Sequence, residues 1–207
     1  MINKLIIFIR NPELGKVKTR LAKSIGDNKA LEVYRLLLLK TRSVVLNVSA
    51  RRFLFYSDQV NLSDDWDSVY FEKQLQLNGD LGAKMKAAFN TAFEQESSKV
   101  IIIGSDCYDL SEEIINRAFE SLEEFDAVIG PANDGGYYLL GMNTFLPEVF
   151  DGIEWSTSSV FAKTVGRFKS LNRTVSVLPE LVDIDEFSDL EASSFDISKL
   201  NLVNSKI

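Results

Sequence analysis

A chain of 207 residues that is 45% hydrophobic and 11% aromatic can bury one substantial core, so one domain over residues 1–207 is expected. The single cysteine, Cys107, and the complete lack of histidine exclude an internal disulfide, Cys-rich and HExxH zinc sites, and Ser-His-Asp or Cys-His triads. A formal net charge of -7 argues against a nucleic-acid partner. No apolar run approaches the roughly 20 residues that span a bilayer, and no signal-peptide pattern opens the chain, so the expectation is a cytoplasmic protein with no membrane insertion.

Lys4 to Ile9 is a short branched apolar run ended by Asn11-Pro12 and Gly15, the pattern of a buried strand entering a loop. That loop is basic: residues 10 to 23 hold Arg10, Lys16, Lys18, Arg20 and Lys23 against Glu13 alone. A helical stretch follows from about Asn28 to Leu46, with Leu31, Tyr34, Leu38 and Val45 on one face. Arg52 to Tyr56 and Val69 to Glu72 are predicted strands separated by the polar loop Ser57 to Asp67. Gly79-Asp80 opens a helix in which Leu81, Met85, Ala88, Phe89 and Ala92 recur at helical spacing. Lys99 to Gly104 is the strongest strand signal, and Ser111-Glu112-Glu113 reads as an N-cap with acids in the first turn of a helix to about Leu122. Asp126 to Gly130 and Tyr137 to Met142 are further strands, Ser156 or Thr157 caps a helix to about Lys169, and Thr174 to Leu178 is a late strand. The alternation predicts an α/β fold, a mainly parallel central sheet flanked by helices on both faces, with ligands beyond the carboxyl ends of the strands.

The chemically suggestive segments fall at those ends. Lys16, Lys18 and Arg20 alternate with Val17 and Thr19, so an extended loop points its cations one way, suited to the oxygens of a di- or triphosphate, with Arg10 nearby and Thr19 able to cap the next turn. A solvated basic loop explains the same letters. Asp106, after the strand ending at Ile103, is a hard ligand for Mg²⁺ or Mn²⁺ bridging substrate phosphates, or a simple turn aspartate. Asn133-Asp134-Gly135-Gly136-Tyr137 combines backbone freedom with a carboxylate that can bind metal, orient an acceptor hydroxyl or take its proton; an Asp-Gly turn is the alternative. Asp183 and Asp185 share a side if extended and can complete a cation site with Asp106, or else begin a capped acidic helix. Gln76, Gly79, Asp80, Trp155 and Ser156 are candidates for base, sugar or acceptor contacts. Neither a Walker A loop nor a GxGxxG fingerprint is present.

Arg10-x-Pro12 with Gly15-x-Val17-Lys18-Thr19-Arg20-Leu21, Gly79-Asp80-Leu81-Gly82, Gly104-Ser105-Asp106, Gly130-Pro131 with Asp134-Gly135-Gly136-Tyr137-Tyr138, and Trp155-Ser156 occur here in that order. Together they resemble the nucleotide-diphosphosugar transferase superfamily of GT-A-like fold, and most closely its DUF2064 family of bacterial proteins read as glycosyltransferases. The resemblance implies a transferase that moves a glycosyl or nucleotidyl group from a nucleotide sugar or nucleoside triphosphate to a small-molecule acceptor. It implies phosphate contacts at Lys18 and Arg20, with Lys16 and Arg10 beside them, and a metal, Mg²⁺ or Mn²⁺, at Asp106 with Asp185 fitting the second position better than Asp183. Tyr108 stands where the family commonly has proline. A nucleotide- or sugar-phosphate-binding regulator that retains the fold without turnover is the alternative.

Overall fold

The computed structural model describes residues 2–94 and 99–200, so the ends of the expected 1–207 domain lie outside the described residues. Seven strands form one sheet. They are β1 (Lys4–Ile9), β2 (Arg51–Tyr56), β3 (Phe71–Leu75), β4 (Val100–Ile103), β5 (Ala127–Pro131), β6 (Tyr137–Met142) and β7 (Val175–Val177), in spatial order β3-β2-β1-β4-β6-β5-β7. β1 pairs in parallel with both β2 and β4. Burial on both faces explains why its sequence is a continuous apolar run rather than an alternating one.

Alternate residues of that run serve opposite cores. Leu5, Ile7 and Ile9 face the layer containing α1 (Thr19–Ile25), α2 (Asp27–Asn47) and α4 (Glu112–Ser121), whereas Ile6 packs with Phe53, Phe55 and Ile102 against α3 (Leu81–Glu94) and α5 (Val160–Ser170). Leu5, Ile6 and Ile7 have no exposed surface, and each such side chain contributes about 2 kcal/mol of transfer free energy. The expected flanking of the sheet by helices on both faces is therefore present.

Three local details depart from expectation. β6 runs antiparallel to β4 and β5, because the tight turn after Pro131 sends the chain straight back. The remaining strand pairs are parallel. α1 was not visible as a helix, since it has 7 residues and buries only Leu21. The cap of α5 is Ser159, without a side-chain bond, rather than Ser156 or Thr157; the Thr157 hydroxyl donates instead to the Glu154 carbonyl at 2.8 Å. Ser111 does cap α4, accepting from the Ile114 N–H at 3.4 Å. A last short helix, α6 (Phe187–Ala192), begins with a capping box between Glu186 and Asp189. No helix among the described residues is long and apolar enough to cross a membrane.

Candidate active site

A cleft of about 670 Å³ opens where β1, β2 and β4 end. Arg10, Lys16, Gln76, Asp106, Tyr137, Ser156 and Asp183, all singled out in the sequence, line it. This is the carboxyl edge at which an open α/β sheet binds ligands.

The centre of the site is an ammonium among carboxylates. Lys18 Nζ lies 2.5 Å from Asp106 Oδ1 and 3.2 Å from Asp185 Oδ1, with only 4% of the lysine side chain exposed. Burial alone pushes the Lys18 ammonium toward losing its proton, but the charges of Asp106, Asp183 and Asp185 outweigh it and hold the group charged. Lys18 adopts a left-handed backbone, φ 48°, which costs an L residue about 1 kcal/mol. That conformation turns the side chain inward at the start of α1.

The same turn separates the cations that extended geometry predicts on one side. Lys16 points outward to Glu13, 2.6 Å away and 69% exposed, while Val17 enters the core. Glu13, by hydrogen bond and charge, raises the Lys16 pKa. Arg20 is also largely exposed and reaches Asp185 Oδ2 at 3.8 Å. Thr19 begins α1 without capping it, because the N-cap position belongs to Lys18 and no side-chain bond forms there.

Asp106 and the acidic segment meet through the backbone. Ile184, fully buried, donates its N–H to the Asp106 carbonyl at 3.1 Å, which places Asp183 and Asp185 on opposite sides of an anchored residue. Asp185 pairs with Lys18 and Arg20. Asp183 instead faces inward, its N–H bonded to Asn133 Oδ1 and its carboxylate 3.9 Å from the Cys107 sulfur. Burial first, and then the Asp106 charge, raise its pKa to about 8 against the opposing pull of Lys18. Burial likewise pushes the Cys107 thiol up.

The remaining candidates divide between wall and scaffold. Gln76 Nε2 donates to the Ile9 and Phe55 carbonyls, which fixes the amide across the ends of β1 and β2. Asp80 Oδ1 accepts the Ala83 N–H at 2.8 Å and so holds the first turn of α3; Gly79 precedes it at φ 133°. Trp155 packs so closely on Gly82 that a Cβ there would lie 2.3 Å from the indole nitrogen. Asp134 Oδ1 accepts the Gly136 N–H at 2.8 Å, making an Asp-Gly turn just before Tyr137 of the cleft wall. Gly135 sits at φ 86°, where a Cβ would strike the Ser158 backbone, and its carbonyl accepts from Phe161 at the head of α5. Tyr137 donates to Met85 Sδ at 3.8 Å, and burial raises its pKa. Tyr108, at the position of the family's proline, packs edge-on against Phe195 at 5.0 Å.

Tyr34, Asp58 and Lys84 are among the wall residues that the sequence does not mark as site residues. The Tyr34 hydroxyl accepts the Arg10 N–H at 2.7 Å, donates to the Arg10 carbonyl and lies 3.4 Å from Ser105 Oγ, so it ties the basic loop to the Asp106 loop. Burial and the Asp106 charge push its pKa up to about 12. Its helical position reads only as core, and nothing local marks the hydroxyl. Asp58 and Lys84 also line the cleft. Their places in a polar loop and on an amphipathic helix carry no comparable signal.

The fold and its likeness to a solved protein 33% identical place the chain among transferases of the nucleotide-diphosphosugar class. The chain belongs to the DUF2064 family, described as "Uncharacterized protein conserved in bacteria", whose model matches residues 40–157. It is similar to a solved protein from Desulfovibrio desulfuricans G20, provisionally named a nucleotide-diphospho-sugar transferase, with 33% identity and a TM-score of 0.83 over 93% of this chain and 86% of that one. The fold is shared with the inositol-1-phosphate CTP transferase of T. maritima, at 14% identity and a TM-score of 0.58 over 97% of this chain and 94% of the other. It is shared as well with Rv0371c of Mycobacterium tuberculosis H37Rv, solved in complex with manganese, at 10% identity and a TM-score of 0.56 over 92% and 96% of the two chains. No curated protein matches the sequence.

Proposed function

We propose that the cleft transfers a glycosyl group from a nucleotide diphospho-sugar to a hydroxyl of a small-molecule acceptor. The observation that carries this assignment is the buried Lys18 ammonium, held by Asp106 and Asp185 beside the cleft. A fixed cation with no room to solvate is preorganised for the charge that builds on a departing diphosphate. Similarity to the 33% identical nucleotide-diphospho-sugar transferase supports the donor class.

In this mechanism Lys18 and Arg20 stabilise the phosphate oxygens nearest the breaking bond, and Arg10 and Lys16 hold the outer wall. Gln76, with Gly79 and Asp80 behind it, meets the nucleoside; Tyr137, Ser156 and the Gly135-Gly136 turn, braced by Trp155, border the acceptor. The acceptor oxygen bonds to the anomeric carbon, the carbon-to-phosphate oxygen bond breaks with its electron pair, and nucleoside diphosphate leaves. The acceptor proton passes to a rim carboxylate, for which Asp134 is the candidate.

The donor set suits a hard divalent cation. Asp183 is a buried carboxylate whose pKa is raised to about 8, first by burial and then by the Asp106 charge, with Lys18 opposing. Among the described residues no three acidic, cysteine or histidine side chains form a ready-made metal cage. Mg²⁺ is usually held by only one or two carboxylates together with substrate phosphates, so Asp106 and Asp183 would hold Mg²⁺ or Mn²⁺ while Asp185 anchors Lys18 and Arg20. When bound, the ion supplies charge neutralisation for the diphosphate.

Nucleotidyl transfer is the second reading, favoured by Arg10 and Lys16 lining the same cleft as Asp106, an arrangement suited to a triphosphate. Product analysis separates the two. Incubation with nucleotide sugars and Mg²⁺ or Mn²⁺ should release nucleoside diphosphate; pyrophosphate from nucleoside triphosphates would transfer the assignment to nucleotidyl chemistry. Tight nucleotide binding with no turnover across acceptors would leave the regulatory alternative.

A further inference from the structure

Asp106 has two claimants. It would hold the divalent cation of the proposed transferase, and it already holds Lys18, whose Nζ lies 2.5 Å from Oδ1. Asp185 Oδ1 takes the same ammonium at 3.2 Å, and the charge of Asp183 acts on it as well. Three carboxylates therefore share one monovalent counter-ion. Asp106 and Asp183 line the cleft, whereas Lys18, with 4% of its side chain exposed, is not part of the wall. Its ammonium is engaged by the carboxylates rather than presented to the cleft.

Two features make this arrangement exchangeable. The left-handed backbone at Lys18, φ 48°, fixes where the side chain starts, at the N-cap of α1, while the four-carbon stem keeps its rotatable bonds. The ammonium also has a second partner within reach: Asp185 already accepts from it, is 46% exposed and pairs with Arg20 at 3.8 Å. A divalent cation on Asp106 would set like charges against one carboxylate, and their repulsion in a partly buried site is far stronger than in bulk water. Ammonium and metal therefore weaken each other as partners of Asp106.

We propose that Lys18 is a built-in counter-ion that occupies the cation position at Asp106 until a divalent ion displaces it, and that the displaced ammonium, kept by Asp185, turns to the edge of the cleft. The proposal rests on the reading of Asp106 as a metal ligand. It makes the two cations antagonists while no nucleotide is bound: the lysine lowers the affinity for metal, and the metal frees the lysine. Donor phosphates that accept from the freed Lys18 then tighten metal binding, because the coupling between two ligands of one site is reciprocal.

The test is Mn²⁺ binding to the full chain without nucleotide, read from the electron paramagnetic resonance signal of free Mn²⁺. Lys18→Met keeps the bulk of the stem without its charge and should bind Mn²⁺ about tenfold more tightly than the unaltered chain. Lys18→Gln should do the same. A second measurement needs no variant: acetylation by acetic anhydride, followed by mass spectrometry. Lys18 should be protected without metal and modified about tenfold faster at saturating Mg²⁺, while buried Lys99 and half-exposed Lys163 keep their rates. Equal or weaker Mn²⁺ affinity in both variants, or a Lys18 rate that Mg²⁺ leaves unchanged, would each overturn the proposal. Neither readout involves turnover, so a failure here leaves the glycosyl assignment to product analysis, and a failure there leaves these outcomes as stated.

Discussion

The two ends of β4 hold two buried lysines with opposite consequences. At the amino end Lys99, with 8% of its side chain exposed, pairs with Glu123 and donates to the Phe119 carbonyl at 3.1 Å. Beyond the carboxyl end Lys18, buried to a similar degree, is held by Asp106 and Asp185. Lys99 closes a helix end against the sheet, whereas Lys18 lies against the Asp106 that walls the cleft. Burial and pairing alone therefore do not identify a functional cation. Strand direction separates the two, because loops that converge at the carboxyl edge leave a crevice between them.

Substitutions at the two ends test this contrast. Asp106→Asn should lower glycosyl transfer by about 10³-fold or more with little change in melting temperature, since it removes both the partner of Lys18 and a cation ligand. Retained turnover would move the site elsewhere. Lys18→Met should cost about 10²-fold in kcat, whereas Lys99→Met should lower stability by about 1 to 2 kcal/mol and leave kcat unchanged. Parallel steady-state kinetics and denaturant titrations of the pair would erase the distinction if both variants lost activity alike.

A subtler difference concerns pH. The folded pKa of Asp183, about 8, lies above its unfolded value, so the native state binds the proton more tightly. Stability from this group is fully present below the unfolded pKa and is lost as pH rises through about 8. Asp183→Asn should flatten that decline in urea titrations across the range and abolish a Mn²⁺-induced rise in melting temperature. A decline of the same slope in the variant would assign it to another group. The smallest effect is expected at Lys16, whose exposed pair with Glu13 adds little; Lys16→Ala should weaken donor binding by about threefold or less, read by calorimetry.

Much of the scaffold was legible along the chain. β1 and β4 announce themselves as unbroken branched runs, α3 by its recurring Leu81, Met85 and Phe89, and α4 by Ser111 followed by acids, because each signal resides within one element. α1 and the antiparallel β6 were less visible. The first is too short for a period to accumulate, and strand polarity is a property of a partner rather than of the strand.

For the candidate site, residue types alone mark Lys18, Asp106, Asp183 and Asp185 as candidates, since a basic loop in an acidic chain and carboxylates after strands are local facts, and the structure brings them together. Their division of labour was decided by tertiary structure. A left-handed φ at Lys18 sends it inward while Lys16 goes out, and the burial of Ile184 sends Asp183 into the interior while Asp185 takes the lysine. The contacts of the Tyr34 hydroxyl exist only because residues distant in sequence close around it. The sequence by itself determined which elements form and which charges each loop carries, because backbone propensity and side-chain period act over a few residues. Only the tertiary structure decided which charges meet, because burial and Coulomb energy depend on neighbours that the whole fold supplies.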